Sequence, residues 1–324
     1  MRRSKSLPIG VDIGETRIRV AAARRHPCGE IAVTAVASRQ IWDDASPQAA
    51  QWEPQLAAAV IDDLRRELGC RERRCVFAMP VSAAALRLLR FPKMSAAERG
   101  RAARFEAQRI APWDVEAVPT HVRVHPVSAK EQLVAIGVAR DDVMQGRLDC
   151  MKRAGLRVAG VDDATYAMRR AFPLADAVID IGHRQTTLHV LTPTGPLVMQ
   201  LSDGGAAITD AITTDLAIEA RAAERRKRIL GTAGAGEAAR EAWIDRTVGA
   251  LRKLRERSAI RRIAMTGNGA RLPGLAPALE SRAEAIVEVP VSDLLRSGAY
   301  PDDVVRAAAP DWTLAVSLAT WGGC

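Results

Sequence analysis

Two similar segments lie about half the chain apart, VDIGETRIRVAAA at residues 11–23 and VIDIGHRQTTLHVL at residues 178–191. Each is an apolar strand that ends in Asp-Ile-Gly, followed by a short polar turn and a second strand. A glycine in such a turn lets backbone N–H groups approach an anion, and the aspartate offers an oxygen to hydrated Mg²⁺. One hairpin of this kind joins strands in many folds. Two of them predict a duplicated domain that grips a nucleotide from both sides.

Length and composition agree with two packed domains. The chain has 324 residues, and globular proteins average roughly 100–200 residues per domain. Hydrophobic residues make up 48% and aromatic residues 4%, so the cores are expected to be mainly aliphatic. The formal net charge of +9 would permit binding to nucleic acid or to an acidic membrane surface. However, basic residues are dispersed among acidic ones, and no basic strand carries the aromatic residues that stack on bases, so we expect no nucleic-acid partner.

Cysteine usage and hydropathy indicate where the chain works. Its five cysteines form an odd set with no C-x-x-C motif or Cys/His cluster, which predicts a reducing compartment. The N-terminal residues carry positive charge but lack the apolar segment of a secretory signal. No stretch approaches the roughly 18–20 apolar residues that span a bilayer. We therefore expect a cytoplasmic protein with no direct membrane span, which reaches a membrane only through a partner.

The first part of the chain has the pattern of a mixed α/β sheet. Apolar runs and turn signals predict strands at 7–13, 18–25, 31–39 and 75–80, with a helix at 54–68 before the last of them. This β-β-β-α-β order is typical of α/β nucleotide-binding domains.

Beyond Pro80 the pattern changes to that of an inserted unit. It predicts a strand, a helix, two strands and a second helix, at residues 84–90, 95–110, 120–126, 132–139 and 141–154. Glu98 lies three residues after Ser95, which is the spacing of a capping box. The unit lacks glycine-rich loops, so protein docking is favoured as its role, and a purely stabilising insertion is the alternative.

The chain therefore divides into three predicted units. Residues 1–80 and 155–177 form a first half, residues 81–154 form the insertion, and residues 178–324 form a second half. A helix that begins near Asp162 is expected to connect the first half to the second, with Asp162 at its cap.

The second half carries further candidate ligand-binding motifs. Gly204 and Gly205 precede a predicted helix, whose free N–H groups and positive dipole end suit an anion. Glu224 and Lys227 lie three residues apart, hence on one helical face, where they form either a surface ion pair of little energy or part of a nucleotide cleft. The segment GNGARLPGL at residues 267–275 offers glycines for close backbone approach.

In their order along the chain, these motifs resemble a known superfamily. DIGETRI, DIGHRQTTL, SDGGAAIT, AERRK and TGNGARLPGL are similar to the phosphate and adenosine motifs of actin, Hsp70 and sugar kinases. Within that superfamily the chain looks most like the PilM family of type IV pilus assembly, which is related to the division protein FtsA; RLLRFPKMSAAERGRAARFEAQRIAPW resembles the start of that family's inserted subdomain. The resemblance implies an α/β fold of two actin-like (ribonuclease H-like) halves with an FtsA/PilM-type inserted subdomain.

The resemblance also implies that ATP and Mg²⁺ bind in a cleft between the halves. Asp12 and Asp180 would be the catalytic residues on the phosphate side and would hold Mg²⁺ through water. The implied nucleotide-binding residues are Gly14, Glu15, Thr16, Arg17, Gly182, Thr186, Gly204, Gly205, Glu224, Lys227, Gly267, Asn268, Gly269 and Arg271. No residue stands out as a water-activating group, so ATP hydrolysis is expected to be weak at most.

The implied partner is the cytoplasmic N-terminal tail of a PilN-like inner-membrane protein, docked at the insertion. Other ATPases of pilus assembly would be further partners. Such docking would place a cytoplasmic protein peripherally at the inner membrane.

The sequence departs from the resemblance at the second Asp-Ile-Gly turn, and it leaves alternatives open. His183, Arg184 and Gln185 stand where small residues are expected, and they would either tighten or impede phosphate binding. A small-molecule kinase of the same superfamily and a nucleotide-free scaffold similar to GspL are the alternative functions. An FtsA-type role is disfavoured, because the chain ends in DWTLAVSLATWGGC rather than in a basic amphipathic helix.

Overall fold

The computed structural model describes residues 4–41, 53–111, 113, 120–192, 195–291 and 302–322. Its strands are β1 (Lys5–Ser6), β2 (Ile9–Ile13), β3 (Arg17–Arg25), β4 (Ile31–Gln40), β5 (Arg74–Ala78), β6 (Ala84–Pro92), β7 (Thr120–Pro126), β8 (Glu131–Ala139), β9 (Arg157–Asp162), β10 (Ala177–Ile181), β11 (Thr186–Thr192), β12 (Gly195–Leu201), β13 (Arg262–Thr266) and β14 (Ile286–Glu288). Its helices are α1 (Pro54–Glu67), α2 (Ala96–Ile110), α3 (Asp141–Arg153), α4 (Ala164–Ala171), α5 (Gly205–Leu216), α6 (Ala220–Leu230), α7 (Glu237–Arg255), α8 (Leu275–Ala283) and α9 (Asp302–Ala319). In these described residues, no helix combines the length and the apolar character that a bilayer crossing requires.

Two sheets share one topology. In the first, β2, β3 and β4 form an antiparallel meander, β5 lies parallel to β2, and β9 lies parallel to β5. In the second, β10, β11 and β12 form the equivalent meander, and β13 and β14 extend it in the same way. The predicted duplication of a mixed α/β unit is therefore confirmed, and both Asp-Ile-Gly segments lie at the same place in their sheets.

Each sheet has its own hydrophobic core. In the first, Ile9 and Phe77 of the sheet pack with Ile61 of α1. In the second, Leu188 of β11 packs with Trp243 of α7. Aliphatic side chains dominate both cores, as the low aromatic content predicts.

Two helices pack away from the unit to which the sequence assigned them. Helix α3, predicted as part of the insertion, packs on α1 and places Cys150 and Met151 in the first core. Helix α9, predicted within the second half, packs on β2 and β3 of the first sheet. Its small residues Ala315 and Ala319 allow this close approach, and they share a core with Ala21 and Ala23 of β3.

The insertion itself is a small antiparallel sheet with one helix. Its strand order is β6-β8-β7, and α2 covers it through the buried side chains of Ala103 and Ala107. The predicted capping box at the start of α2 is confirmed: the Ser95 hydroxyl accepts a hydrogen bond from Glu98 N at 3.3 Å, and Glu98 Oε2 accepts one from Ser95 N at 2.8 Å. Trp113 packs against the core of the insertion, whereas Phe105 on α2 is 62% exposed.

The connecting helix is confirmed as α4, but its cap differs from the prediction by one residue. The Asp163 carboxylate accepts hydrogen bonds from the backbone N–H groups of Thr165 and Tyr166, at 2.9 Å and 3.2 Å, and so caps the helix. Asp162 instead ends β9, which the sequence did not predict, and forms an ion pair with Arg170.

Candidate functional site

The two Asp-Ile-Gly turns have the same local geometry. In the first, Gly14 N donates a hydrogen bond to Arg17 O at 3.0 Å. In the second, Gly182 N donates to Gln185 O at 2.9 Å. Each bond closes a tight two-residue turn directly after a buried strand, β2 or β10. The equivalent sequences therefore fold into equivalent hairpins at equivalent edges of the two sheets.

Both turns line one cavity of about 510 Å³ between the two sheets. A cavity of this size suits a ligand of small-molecule dimensions, since such pockets occupy about 300–1,000 Å³. The turns also touch each other across it, because the Glu15 carboxylate accepts a hydrogen bond from Arg184 N at 3.0 Å. The two turns therefore face a common cavity in this structure.

The cavity lining carries two half-buried aspartates, Asp12 and Asp180. Asp12 forms an ion pair with Arg19 at 3.2 Å. Burial raises the pKa of Asp12, and the charges of Arg19 and Arg147 oppose that rise. Burial raises the pKa of Asp180 to about 6, and the negative charge of Asp12 adds to the rise. The two carboxylates thus repel each other across the cavity, and a cation between them would relieve this repulsion.

The donor set fits a hydrated cation and a polar ligand. Within the described residues, no group of three or more His, Cys, Asp or Glu side chains is arranged to hold a metal ion. Two buried polar atoms of cavity-lining residues, Arg19 Nε and Asp311 Oδ1, have no hydrogen-bond partner within the described structure. Such orphaned atoms cost free energy, and a charged ligand with bound water would satisfy them.

The glycine pair before α5 braces the second turn, which differs from the predicted role of its amides. The N–H groups of Gly205 and Ala206 donate to the carbonyls of Gly182 and His183, at 3.0 Å and 2.8 Å, so they are not free for an anion. Gly204 lies outside the cavity lining. A Cβ at Gly204 would lie 2.7 Å from Gln185 N and closer still to His183 O. Only glycine fits there, and its contact fixes the second turn.

Glu224 and Lys227 form a buried network rather than a surface ion pair. Lys227 Nζ lies 2.5 Å from Glu224 Oε2 and donates to Thr209 Oγ1 at 2.6 Å and to Gly205 O at 2.8 Å. Burial raises the pKa of Glu224, but the charge of Lys227 and hydrogen bonds from Lys227 and Thr209 outweigh it and hold the pKa below its usual value. Both side chains line the cavity. The network therefore ties α6 to the start of α5 at the edge of the site.

The GNG turn after β13 packs directly on the second Asp-Ile-Gly segment. Gly267 has a φ of +81°, and a Cβ there would lie 2.6 Å from Ile181 O and closer to the Asp180 carboxylate. Gly267, Asn268 and Gly269 all line the cavity. The turn thus forms the wall next to Asp180.

The structure brings most of the predicted residues to the cavity. Those that line it are Asp12, Gly14, Glu15, Thr16, Arg17, Asp180, Gly182, Gly205, Glu224, Lys227, Gly267, Asn268 and Gly269. Thr186, Gly204 and Arg271 are absent from the lining. Thr186 is buried, where its hydroxyl donates to Asp203 O at 2.6 Å and accepts from Trp243 Nε1 at 2.9 Å. Arg271 pairs with Asp311 at 3.2 Å, so only its partner faces the cavity.

Sequence reasoning missed four charged residues of the lining: Arg19, Arg147, Arg228 and Asp311. Two of them had a local signal. Arg19 lies two residues after Arg17 on the same strand, hence on the same face, and Arg228 lies four residues after Glu224 on α6, with which it pairs at 2.9 Å. Arg147 and Asp311 come from α3 and α9, whose positions depend on long-range packing.

Duplicated sheets, facing turns across one cavity and an insertion after β5 define an actin-like protein. The family model of type IV pilus assembly protein PilM matches residues 10–321, and the chain belongs to this family. This assignment favours the pilus protein over the kinase and the nucleotide-free scaffold as the class of protein.

Solved structures agree with this assignment. The chain is similar to a protein in the PilM-PilN type IV pilus biogenesis complex, with a TM-score of 0.81 and 26% identity over 98% of both chains. It also shares its fold with ethanolamine utilization protein EutJ from Carboxydothermus hydrogenoformans, at TM-score 0.61 and 15% identity over 99% of this chain and 91% of that one. A diol dehydratase-reactivating factor in nucleotide-free form has TM-score 0.56 and 10% identity over 99% and 100%. A comparison with curated proteins gave no match.

Proposed function

We propose that this pilus assembly protein binds Mg²⁺-ATP in the cavity and docks the cytoplasmic N-terminal tail of a PilN-like inner-membrane protein through its insertion. The observation that carries the first part is the pair of equivalent Asp-Ile-Gly turns facing one cavity. The support for the second part is family membership together with the similarity to the PilM-PilN complex.

The residues divide into a phosphate side and a nucleoside side. The two turns would hold the phosphates, and Asp12 and Asp180 would hold the Mg²⁺ through its water. Glu224 and Lys227, with the turn at residues 267–269, would border the nucleoside. Bound Mg²⁺-ATP supplies the cation that relieves carboxylate repulsion and the anion that Arg19 and Arg147 attract. Among the described residues we assign no water-activating side chain, so the proposed ATPase activity is weak at most.

The docking surface is proposed on α2 of the insertion. Phe105 is 62% exposed there, and the basic residues Arg101 and Arg104 precede it on the same helix. A large exposed aromatic side chain is typical of a binding anchor. Docking to the cytoplasmic tail of an inner-membrane protein would place this chain in the cytoplasm, peripherally at the inner membrane. Other ATPases of pilus assembly are proposed as further partners of the same complex.

Nucleotide binding is tested by calorimetry with Mg²⁺-ATP. We expect the wild type to bind and Asp180→Asn to weaken binding at least tenfold, since the substitution removes one of the two carboxylates that hold the cation. Asp210→Asn is the matched control, because Asp210 is exposed on α5 outside the cavity. Binding that is absent in the wild type, or equal in the two variants, would contradict the proposed site.

Docking is tested with a fluorescent peptide of the PilN-like tail. We expect Phe105→Ala to weaken peptide binding at least tenfold, because it removes an anchor of the kind that dominates interface energy. Leu174→Ala is the control, because Leu174 is 76% exposed but lies outside the insertion. Equal affinities of the two variants would place the docking surface elsewhere, and no binding by the wild type would remove the PilN-like tail as the partner.

A further inference from the structure

Glu15 makes a contact that a phosphate-binding turn does not require. Its carboxylate leaves the first turn, crosses the cavity and accepts the hydrogen bond from Arg184 N in the second turn, at 3.0 Å. The two residues are 169 positions apart in the chain and belong to opposite sheets. The contact therefore joins the two halves at the mouth of the proposed phosphate site.

The Glu15 carboxylate binds the Arg184 N–H in the way that a bound anion would. A backbone N–H at the tip of a tight turn is the donor that a phosphate oxygen uses in nucleotide sites. A carboxylate oxygen satisfies the same donor with the same charge sign, and charge-assisted hydrogen bonds of this kind are the stronger ones. Glu15 thus occupies an amide to which a phosphate oxygen would otherwise bind.

Glu15 also adds negative charge to a cavity that already holds several acids. Asp12, Asp180 and Asp311 line the same space. The cations Arg17, Arg19 and Arg147 of the same lining attract phosphates, and Glu15 opposes that attraction more strongly with each additional phosphate of the ligand.

We propose that Glu15 is an internal anion that competes with the phosphate chain of the nucleotide for the second turn and sets a preference for nucleoside diphosphate over triphosphate. This inference rests on the proposed nucleotide binding. A ligand must break the contact between Glu15 and Arg184 before its outermost phosphate can use that amide. The triphosphate brings more charge toward the carboxylate than the diphosphate does, so Glu15 disfavours it more strongly.

Calorimetry on the full chain with Mg²⁺-ADP and Mg²⁺-ATP tests the preference. We expect Glu15→Ser, which removes the charge and replaces the carboxylate with a much shorter hydroxyl side chain, to raise ATP affinity tenfold or more and ADP affinity by less. Glu15→Gln, which retains an acceptor oxygen, should give an intermediate ratio of the two affinities. Glu30→Gln is the control, because Glu30 is exposed in another turn and lies outside the cavity, and it should leave both affinities unchanged.

Hydrogen exchange of the nucleotide-free protein provides a second readout. We expect the Arg184 amide to exchange at least tenfold faster in Glu15→Ser than in the wild type, with no change in Glu30→Gln. Two outcomes would overturn the inference and leave the proposed function intact. The first is an unchanged exchange rate of the Arg184 amide in Glu15→Ser. The second is an unchanged ratio of ATP affinity to ADP affinity when the wild type and Glu15→Ser both bind nucleotide. ATP binding gained only in Glu15→Ser would support the inference and refute ATP binding by the wild type. Failure of both proteins to bind either nucleotide would overturn both.

Discussion

The substitution Gly204→Ala probes the support of the second Asp-Ile-Gly turn from a position outside the cavity lining. A Cβ at this position would lie 2.7 Å from Gln185 N and from Gly182 O, well below the 3.4 Å at which ordinary contact begins. These neighbours are backbone atoms, so no side chain can rotate away. The backbone of Gly204 has φ −133° and ψ −159°, which alanine can adopt, so the cost comes from the contact and not from the dihedral angles.

The size of the effect follows from what must move. Overpacking of a rigid site costs about 1–3 kcal/mol. A shift of the turn also weakens the hydrogen bonds that Gly205 N and Ala206 N donate to it, each with a net worth of about 1 kcal/mol. We expect the free energy of unfolding to fall by about 3 kcal/mol. Nucleotide affinity should fall at least tenfold, because the displaced turn belongs to the proposed phosphate site.

Urea denaturation and calorimetry with Mg²⁺-ATP measure the two effects. The matched control is Gly249→Ala in α7, where an added Cβ meets no atom within 4 Å. That control should raise the free energy of unfolding by about 0.5–1 kcal/mol, since alanine is favoured over glycine inside a helix. If Gly204→Ala unfolds at the wild-type urea concentration and binds ATP equally well, the bracing role assigned to Gly204 is refuted.

Further predictions concern the buried network, a buried histidine and the insertion. Lys227→Met should lower the free energy of unfolding in urea by about 3 kcal/mol, because it leaves Glu224 buried without its main partner, and adding Glu224→Gln should recover part of the loss. Burial lowers the pKa of His189 from 6.5 to about 4, so the unfolded chain binds the proton first, and the contribution of His189 to stability should decline as pH falls from about 6.5 to about 4, by up to about 3 kcal/mol. In urea titrations across that range, the free energy of unfolding of His189→Gln should rise relative to the wild type by this amount, whereas His125→Gln should follow the wild type. Ser95→Ala should lower the free energy of unfolding by about 1 kcal/mol, because it removes the cap of α2. Thermal denaturation measures this change, and an unchanged midpoint temperature would contradict the capping box.

The features that were predictable from the sequence are local ones. The hairpin around Asp12 repeats around Asp180 because the same short pattern of apolar strand, Asp-Ile-Gly and polar turn specifies it each time. The capping box at Ser95 is likewise set by residues only three positions apart. Such motifs carry their own geometry, so their order alone was enough to indicate two facing halves.

The features that were not predictable depend on packing between distant segments. Helix α9 reaches the first sheet because Ala315 and Ala319 fit against β3, and no local periodicity reports which sheet a helix will cover. The amides of Gly205 and Ala206 are occupied by the second turn, which a glycine pair before a helix does not reveal. The link between Glu15 and Arg184 forms only once both sheets are in place.

The insertion is connected to both halves, and this bears on how the two proposed sites interact. Helix α3, which follows β8 of the insertion directly and packs on the first half, brings Arg147 to the cavity, where its charge acts on Asp12. Through β6, Arg87 donates a hydrogen bond to Pro196 O of β12 in the second sheet, at 3.4 Å. A change in the separation of the two sheets must therefore alter a contact of the insertion. We therefore expect nucleotide binding and tail docking to be coupled through these contacts, in which case each ligand would change the affinity of the other by the same factor.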